Sequence, residues 1–168
     1  MSVRISFARN VARKQLIEAG LTTPPISMAK IAELNKLEIF EYSKLPDSIS
    51  ALIEPSKKVI LVNPSHNEVR KRFSIAHEIG HHVLGHFDDD SLEDNDKDEV
   101  EEESIRIKHS ADKETEANEF AAELLMPLRL VKNEYSKGKD PKALAKIFNV
   151  SEQAMWIRLS SLRLIKYH

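Results

Sequence analysis

Two histidines one helical turn apart carry the clearest chemistry in this sequence. His77 and His81 are four residues apart, so on a helix their imidazoles project from one face. Two such imidazoles can share one metal ion at Zn–N distances of about 2.0–2.1 Å. Glu78 directly follows the first histidine, where it can act as the base for a metal-activated water. The pattern therefore predicts a catalytic metal centre, and the alternative is a buried helix whose histidines bond to the backbone.

The helix predicted over residues 111–125 carries a candidate for a third ligand. Apolar residues of this segment recur at intervals of three and four, and Glu116 falls on the same stripe. A carboxylate on an apolar stripe is costly unless something neutralises it, and a metal would do so. The alternative is that Glu116 lies at the edge of the stripe and reaches solvent.

Composition limits the class of protein. The chain has 168 residues, 41% of them hydrophobic and 31% charged, which is typical of one globular domain, with room for a small appended module. It has no cysteine, so disulfides and thiolate ligands are excluded. No apolar run reaches the roughly 18 residues of a spanning helix, and the N-terminus lacks the apolar core of a signal peptide. We therefore expect a cytoplasmic protein without a membrane segment.

Charge is concentrated in one segment. Residues 88–104 hold 11 acidic side chains and one lysine. Such a run is usually a solvated connector, and we predict a disordered loop here. Because the loop lies between the proposed second and third ligands in sequence, the alternative is a lid that borders the cleft or excludes acidic substrates.

The order of the predicted elements indicates an α+β protein with a small three-stranded sheet, a helix that carries the histidine motif and a helical C-terminus with helix-turn-helix character. We predict a domain over residues 1–136 and a C-terminal subdomain over residues 137–168 that packs on it. The predicted helices cover about 1–19, 28–36, 67–86, 111–125, 128–135, 141–148 and 151–164, and the strands cover 37–42, 49–54 and 58–63.

Two segments, Arg72–His81 and Glu116–Pro127, resemble the ImmA/IrrE family of bacterial metallopeptidases. The resemblance implies a zincin-like fold and a Zn²⁺ ion, with Mn²⁺ or another divalent metal as alternatives. It also implies a third ligand from the glutamate before an Ala-Asn pair. Glu116 and Glu114 both meet that description, and the apolar stripe favours Glu116. Three ligands leave a fourth position for water.

A different class of zinc peptidase, the metzincins, is excluded by the residues that follow the motif. That class needs glycine three and histidine six positions after the second motif histidine. Leu84 and Phe87 occupy those positions. The site is therefore predicted to use a glutamate ligand.

The resemblance further implies an endopeptidase of narrow specificity. Its expected substrate is a helix-turn-helix repressor of the XRE type or an antitoxin, whose cleavage would derepress a mobile-element or stress operon. Glu78 is the expected general base. The sequence does not choose among the candidate oxyanion donors, which are His82, His86, His109, Tyr135 and Arg129.

The alternative function is a DNA-binding regulator that uses its C-terminal helices and a structural metal. In that case Arg158, Arg163 and Lys166 would face phosphates. The metal would also need a fourth protein ligand, His86 or His109. Met155 and Trp156 resemble core anchors, so we favour packing or substrate recognition over DNA binding for these helices.

Overall fold

The computed structural model describes residues 2–87 and 108–165. These residues form seven helices and a three-stranded mixed sheet, which confirms the α+β class. The acidic segment 88–104 lies outside the described residues. The elements are α1 (Ile5–Glu18), α2 (Met28–Leu34), β1 (Glu38–Glu41), β2 (Ala51–Glu54), β3 (Val59–Val62), α3 (Glu68–Val83), α4 (Ala111–Leu125), α5 (Leu128–Ser136), α6 (Pro141–Phe148) and α7 (Glu152–Ser161).

Helix starts follow from side-chain caps. An N-cap side chain that accepts a bond from the first-turn backbone satisfies one of the N–H groups that a helix leaves unpaired. Ser27, Asp140 and Ser151 make this bond for α2, α6 and α7. Asn67 and Ser110 do the same for α3 and α4, the two helices that matter most for the site.

The sheet places β2 at an edge. β1 pairs parallel with β3, and β2 pairs antiparallel with β3, which gives the order β1-β3-β2. A short turn at residues 55–58 joins β2 to β3 as a hairpin. Because β2 has a neighbouring strand on one side only among the described residues, half of its backbone hydrogen-bonding groups face away from β3.

Helix α4 lies between α1 and α3 and forms the centre of the core. Its Phe120 and Leu124 are fully buried. Gly80 of α3 permits a close approach of the two helices, because a Cβ there would lie 2.9 Å from the Phe120 ring. On the other side of α4, three ion pairs join it to α1: Arg4–Glu116, Arg9–Glu119 and Arg13–Glu123.

Within the described part of the chain, no helix is long and apolar enough to cross a membrane. The same hydrophobic core includes residues on both sides of the predicted boundary at 136, among them Phe120 and Phe148. The division into two domains stays a prediction.

Candidate metal centre

The two motif histidines face each other on α3. Their Nε2 atoms are 3.0 Å apart, and the residues expose only 6% and 1% of their surface. Two nitrogens bound to one tetrahedral zinc at about 2.0–2.1 Å would lie roughly 3.3 Å apart. The spacing of His77 and His81 therefore fits a shared metal ion.

A carboxylate from α4 completes the group. Glu114 Oε2 lies 3.1 Å from His77 Nε2, and Glu114 Oε1 lies 3.2 Å from His81 Nε2. One ligand atom from each of the three side chains lies within 4.8 Å of the others. No other group of three or more such residues occurs within residues 2–87 and 108–165.

Hydrogen bonding prepares the first histidine for a metal. The Nδ1 atom of His77 lies 2.8 Å from Asn118 Oδ1. An amide oxygen can only accept, so His77 Nδ1 carries the proton and its Nε2 carries the lone pair that can bind a metal. Asn118 lies four residues after Glu114 and so shares its face of α4. The donor set of two neutral imidazoles and one carboxylate is one that zinc prefers.

The structure places Glu116 elsewhere, which differs from the expectation that it joins the two histidines. Its carboxylate accepts three bonds from Arg4, from the backbone N at 2.9 Å, from Nε at 3.0 Å and from a terminal nitrogen at 2.8 Å. Its Oε2 also lies 3.0 Å from His86 Nε2. Bonding to Arg4 lowers the pKa of Glu116 to about 2. The buried carboxylate on the apolar stripe is thus neutralised by an arginine, and the carboxylate beside the histidines is that of Glu114.

The predicted base is held between helix and sheet. Glu78 is 4% exposed, and its Oε2 accepts a bond of 3.3 Å from the backbone N–H of Ile53 in β2. It borders a cleft of about 220 Å³ between α3, α4 and the start of β2. The lining includes Ser50, Ala51, Arg70, His77, Glu78 and Glu114.

The five residues considered as oxyanion donors do not line this cleft as the structure describes it. Tyr135 donates its hydroxyl to Leu164 O at 3.2 Å. His109 stacks on His81 with ring centres 3.9 Å apart, and burial lowers its pKa to about 4. Two other polar residues line the cleft, Arg70 and Ser50. Arg70 lies two turns before His77 on the same face of α3, whereas Ser50 reaches the cleft only through the folding of the sheet against α3.

A fourth protein ligand is also not found among residues 2–87 and 108–165, because neither His86 nor His109 belongs to the metal-binding group. Both ring nitrogens of His86 lie at hydrogen-bonding distance from other side chains, Nδ1 from His81 Nδ1 at 2.7 Å and Nε2 from Glu116. The arrangement leaves the three-ligand group open on the cleft side.

The structure does not fit the alternative in which Arg158 faces DNA phosphates. Arg158 is 2% exposed, donates to Met126 O at 2.9 Å and pairs with the buried Glu123. Met155 is fully buried as expected, whereas Trp156 is 41% exposed and is not a core anchor. Arg163 is exposed, and Lys166 lies outside the described residues.

Asn118 and His86 are partners of the motif histidines that the sequence reading did not assign to them. A signal for Asn118 was available in its spacing of four from Glu114 on a predicted helix. For His86 the signal was the preceding Gly85, which ends α3 with φ +73° and turns the chain back.

Comparison with known proteins identifies a family and a shared fold. The Peptidase_M78 family model, described as the IrrE N-terminal-like domain, matches residues 35–160. A solved structure described as a Mycobacterium tuberculosis transcriptional regulator shares the fold with a TM-score of 0.67 at 22% identity. That match covers 92% of this chain and 46% of the other, so the chain spans less than half of that protein. No curated protein matches.

Proposed function

The chain belongs to the Peptidase_M78 family, a family of metallopeptidases, and from that premise we propose that it is a zinc-dependent endopeptidase. His77, His81 and Glu114 hold the metal, so that Glu114 takes the place expected for Glu116. The observation that carries the proposal is the convergence of these three side chains within 4.8 Å beside a cleft. Two nitrogens and one oxygen favour zinc over the harder Mn²⁺.

The chemistry divides between the metal and Glu78. When bound, zinc supplies Lewis-acid activation of water and of the scissile carbonyl. Glu78 accepts the proton of the attacking water and transfers it to the leaving nitrogen. The Ile53 N–H donates to one carboxylate oxygen of Glu78 and so orients the carboxylate for this exchange. Burial of Glu78 against β2 fixes the geometry that proton transfer needs.

The edge strand β2 supplies a binding surface for an extended substrate. Ala51 lines the cleft and belongs to the free edge of the sheet. An extended peptide can add to such an edge through backbone hydrogen bonds, which brings its carbonyls past the metal group. This mode binds a segment of unfolded or locally opened protein.

The substrate we propose is a helix-turn-helix repressor of the XRE type or an antitoxin, in the cytoplasm, whose loss derepresses a mobile-element or stress operon. The support is the family resemblance. We do not propose DNA binding by α6 and α7, because the buried Arg158 is unavailable to phosphates.

The test compares wild type with Glu78→Gln, and with Glu68→Gln as a control at the exposed start of α3. Zinc content is measured in all three, and helix-turn-helix repressors from the same genome are incubated with each and examined by mass spectrometry for new termini. We expect equal zinc in all three and cleavage by wild type and Glu68→Gln alone. Cleavage by Glu78→Gln at the wild-type rate would refute the mechanism.

A further inference from the structure

A third histidine, His86, contacts His81 on the side of its ring that faces away from the metal group. Helix α3 ends in a Schellman motif, in which Gly85 N–H donates to His82 O at 3.3 Å and His86 N–H donates to His81 O at 3.0 Å. This turn brings the His86 ring back against His81, with their Nδ1 atoms 2.7 Å apart. The contact is made by the ring nitrogen of His81 that faces away from the metal group.

His86 is in turn held by a charged pair. Its Nε2 lies 3.0 Å from Glu116 Oε2, and Glu116 receives three donors from Arg4 at the start of α1. With Arg4 bound to it, Glu116 is a carboxylate that can only accept hydrogen bonds. Arg4 and α1 lie outside residues 35–160, which the family model matches.

The hydrogen-bonding protons can be assigned in order along the series Glu116, His86 and His81. Because Glu116 only accepts, His86 Nε2 must carry a hydrogen. In the neutral ring His86 Nδ1 then has a lone pair and accepts from His81 Nδ1–H. His81 Nε2 is consequently left with its lone pair facing His77 and Glu114.

We propose that Arg4, Glu116 and His86 form a positioning relay that fixes His81 in the tautomer able to bind the metal. The relay rests on the proposed function, since it concerns the ligand set assigned there. Its role is the one that carboxylates commonly play behind zinc-bound histidines, where loss of the partner typically weakens metal binding by about 10–100-fold. Here a second imidazole lies between the carboxylate and the ligand.

Glu116→Gln tests the relay with almost no change of shape. Arg4 and His86 together require acceptors at both carboxylate oxygens. An amide has one oxygen. With that oxygen at the Oε1 position it accepts from two nitrogens of Arg4, and the NH₂ group opposes one Arg4 nitrogen and His86, whose tautomer can change. The reverse placement opposes two Arg4 nitrogens that always carry hydrogen, so we expect the NH₂ group to face His86. The proton of His86 then moves to Nδ1, and His81 is driven to the Nε2–H tautomer.

Glu119→Gln is the matched control. It removes the same type of carboxylate from the same pair of helices, since Glu119 pairs with Arg9 of α1 at 2.8 Å. Its described partners include no histidine. His86→Phe is a second relay variant, which keeps an aromatic ring and removes the acceptor for His81.

The first readout is the tautomer of His81 in the metal-free proteins, from long-range ¹H–¹⁵N correlation spectra. The second is the zinc Kd from competition with a chromophoric chelator. We expect the Nδ1–H tautomer in wild type and Glu119→Gln, a shift toward Nε2–H in Glu116→Gln, and a zinc Kd about 10–100-fold higher in both relay variants.

A wild-type tautomer and zinc Kd in Glu116→Gln would overturn the relay while leaving the proposed function intact. Failure of wild type to bind zinc would overturn the proposed function, and the tautomer of His81 would still decide the relay. Should Glu116→Gln not fold, His86→Phe decides by the same two readouts.

Discussion

Replacing Glu114 by alanine should remove zinc binding while leaving the fold in place. A four-ligand structural zinc site binds with about 10–16 kcal/mol, or roughly 2.5–4 kcal/mol per ligand. Loss of one ligand therefore raises the zinc Kd by about 100- to 1,000-fold. The Glu114 side chain is 37% exposed, so its truncation leaves no buried cavity.

The cost of this substitution to stability is small because two helix effects oppose each other. An acidic residue in the first turn of α4 contributes about 0.3–1 kcal/mol, and alanine regains a few tenths through its helix propensity. The melting temperature without zinc should therefore change by no more than a few degrees. This measurement separates loss of a ligand from loss of the fold.

The assay is competition with a chromophoric chelator, and Glu116→Ala is measured beside Glu114→Ala. We expect zinc affinity to fall in the order wild type, Glu116→Ala, Glu114→Ala, since Glu116 acts only through His86. A wild-type zinc Kd in Glu114→Ala, together with loss of zinc in Glu116→Ala, would refute the assignment and return Glu116 to the ligand set.

Three further predictions concern stability. Gly80→Ala should lower the free energy of unfolding, measured in urea, by about 0.5–2 kcal/mol, because a clash with Phe120 outweighs the gain in helix propensity. This loss of stability should be smaller in a Phe120→Leu background. Arg158→Met should cost about 3 kcal/mol because it removes the buried cation from Glu123, which keeps the partly exposed Arg13 and the Leu128 N–H as donors. The control Arg9→Met, which breaks a partly exposed pair, should cost about 1 kcal/mol or less. Zinc at about 100 times its Kd should raise the melting temperature by roughly 5–11 °C, and a chelator should abolish the rise; equal melting with and without zinc would contradict a folded-state metal site.

Local signals in the sequence were sufficient to predict the elements and the motif histidines. Ser27, Asp140 and Ser151 mark helix starts through a bond to a residue three positions away, so no tertiary information is needed. The His77–His81 pair likewise lies within one turn of one helix. Trp156 shows the limit of this reasoning, because its exposure depends on which face of α7 the rest of the chain covers.

The choice between Glu116 and Glu114 could not be made from periodicity. The two residues lie about 200° apart around the helix axis, so they belong to opposite faces of α4. Glu116 is buried and neutralised, as its place on the apolar stripe predicts. The neutralising group, however, is Arg4, which is 112 positions away in sequence. A ligand beside an open cleft has no need to lie on the apolar stripe.

The ion pairs with α1 determine how α4 is rotated about its own axis. The arginines of α1 pair with carboxylates at 116, 119 and 123, whose spacing of three and four marks one side of α4. With that side committed to α1, the opposite side must meet α3, and Glu114 and Asn118 are then brought to His77 and His81. Since α1 lies outside the residues matched by the family model, the orientation of Glu114, the third ligand that we propose, depends on a segment that the matched family domain does not include.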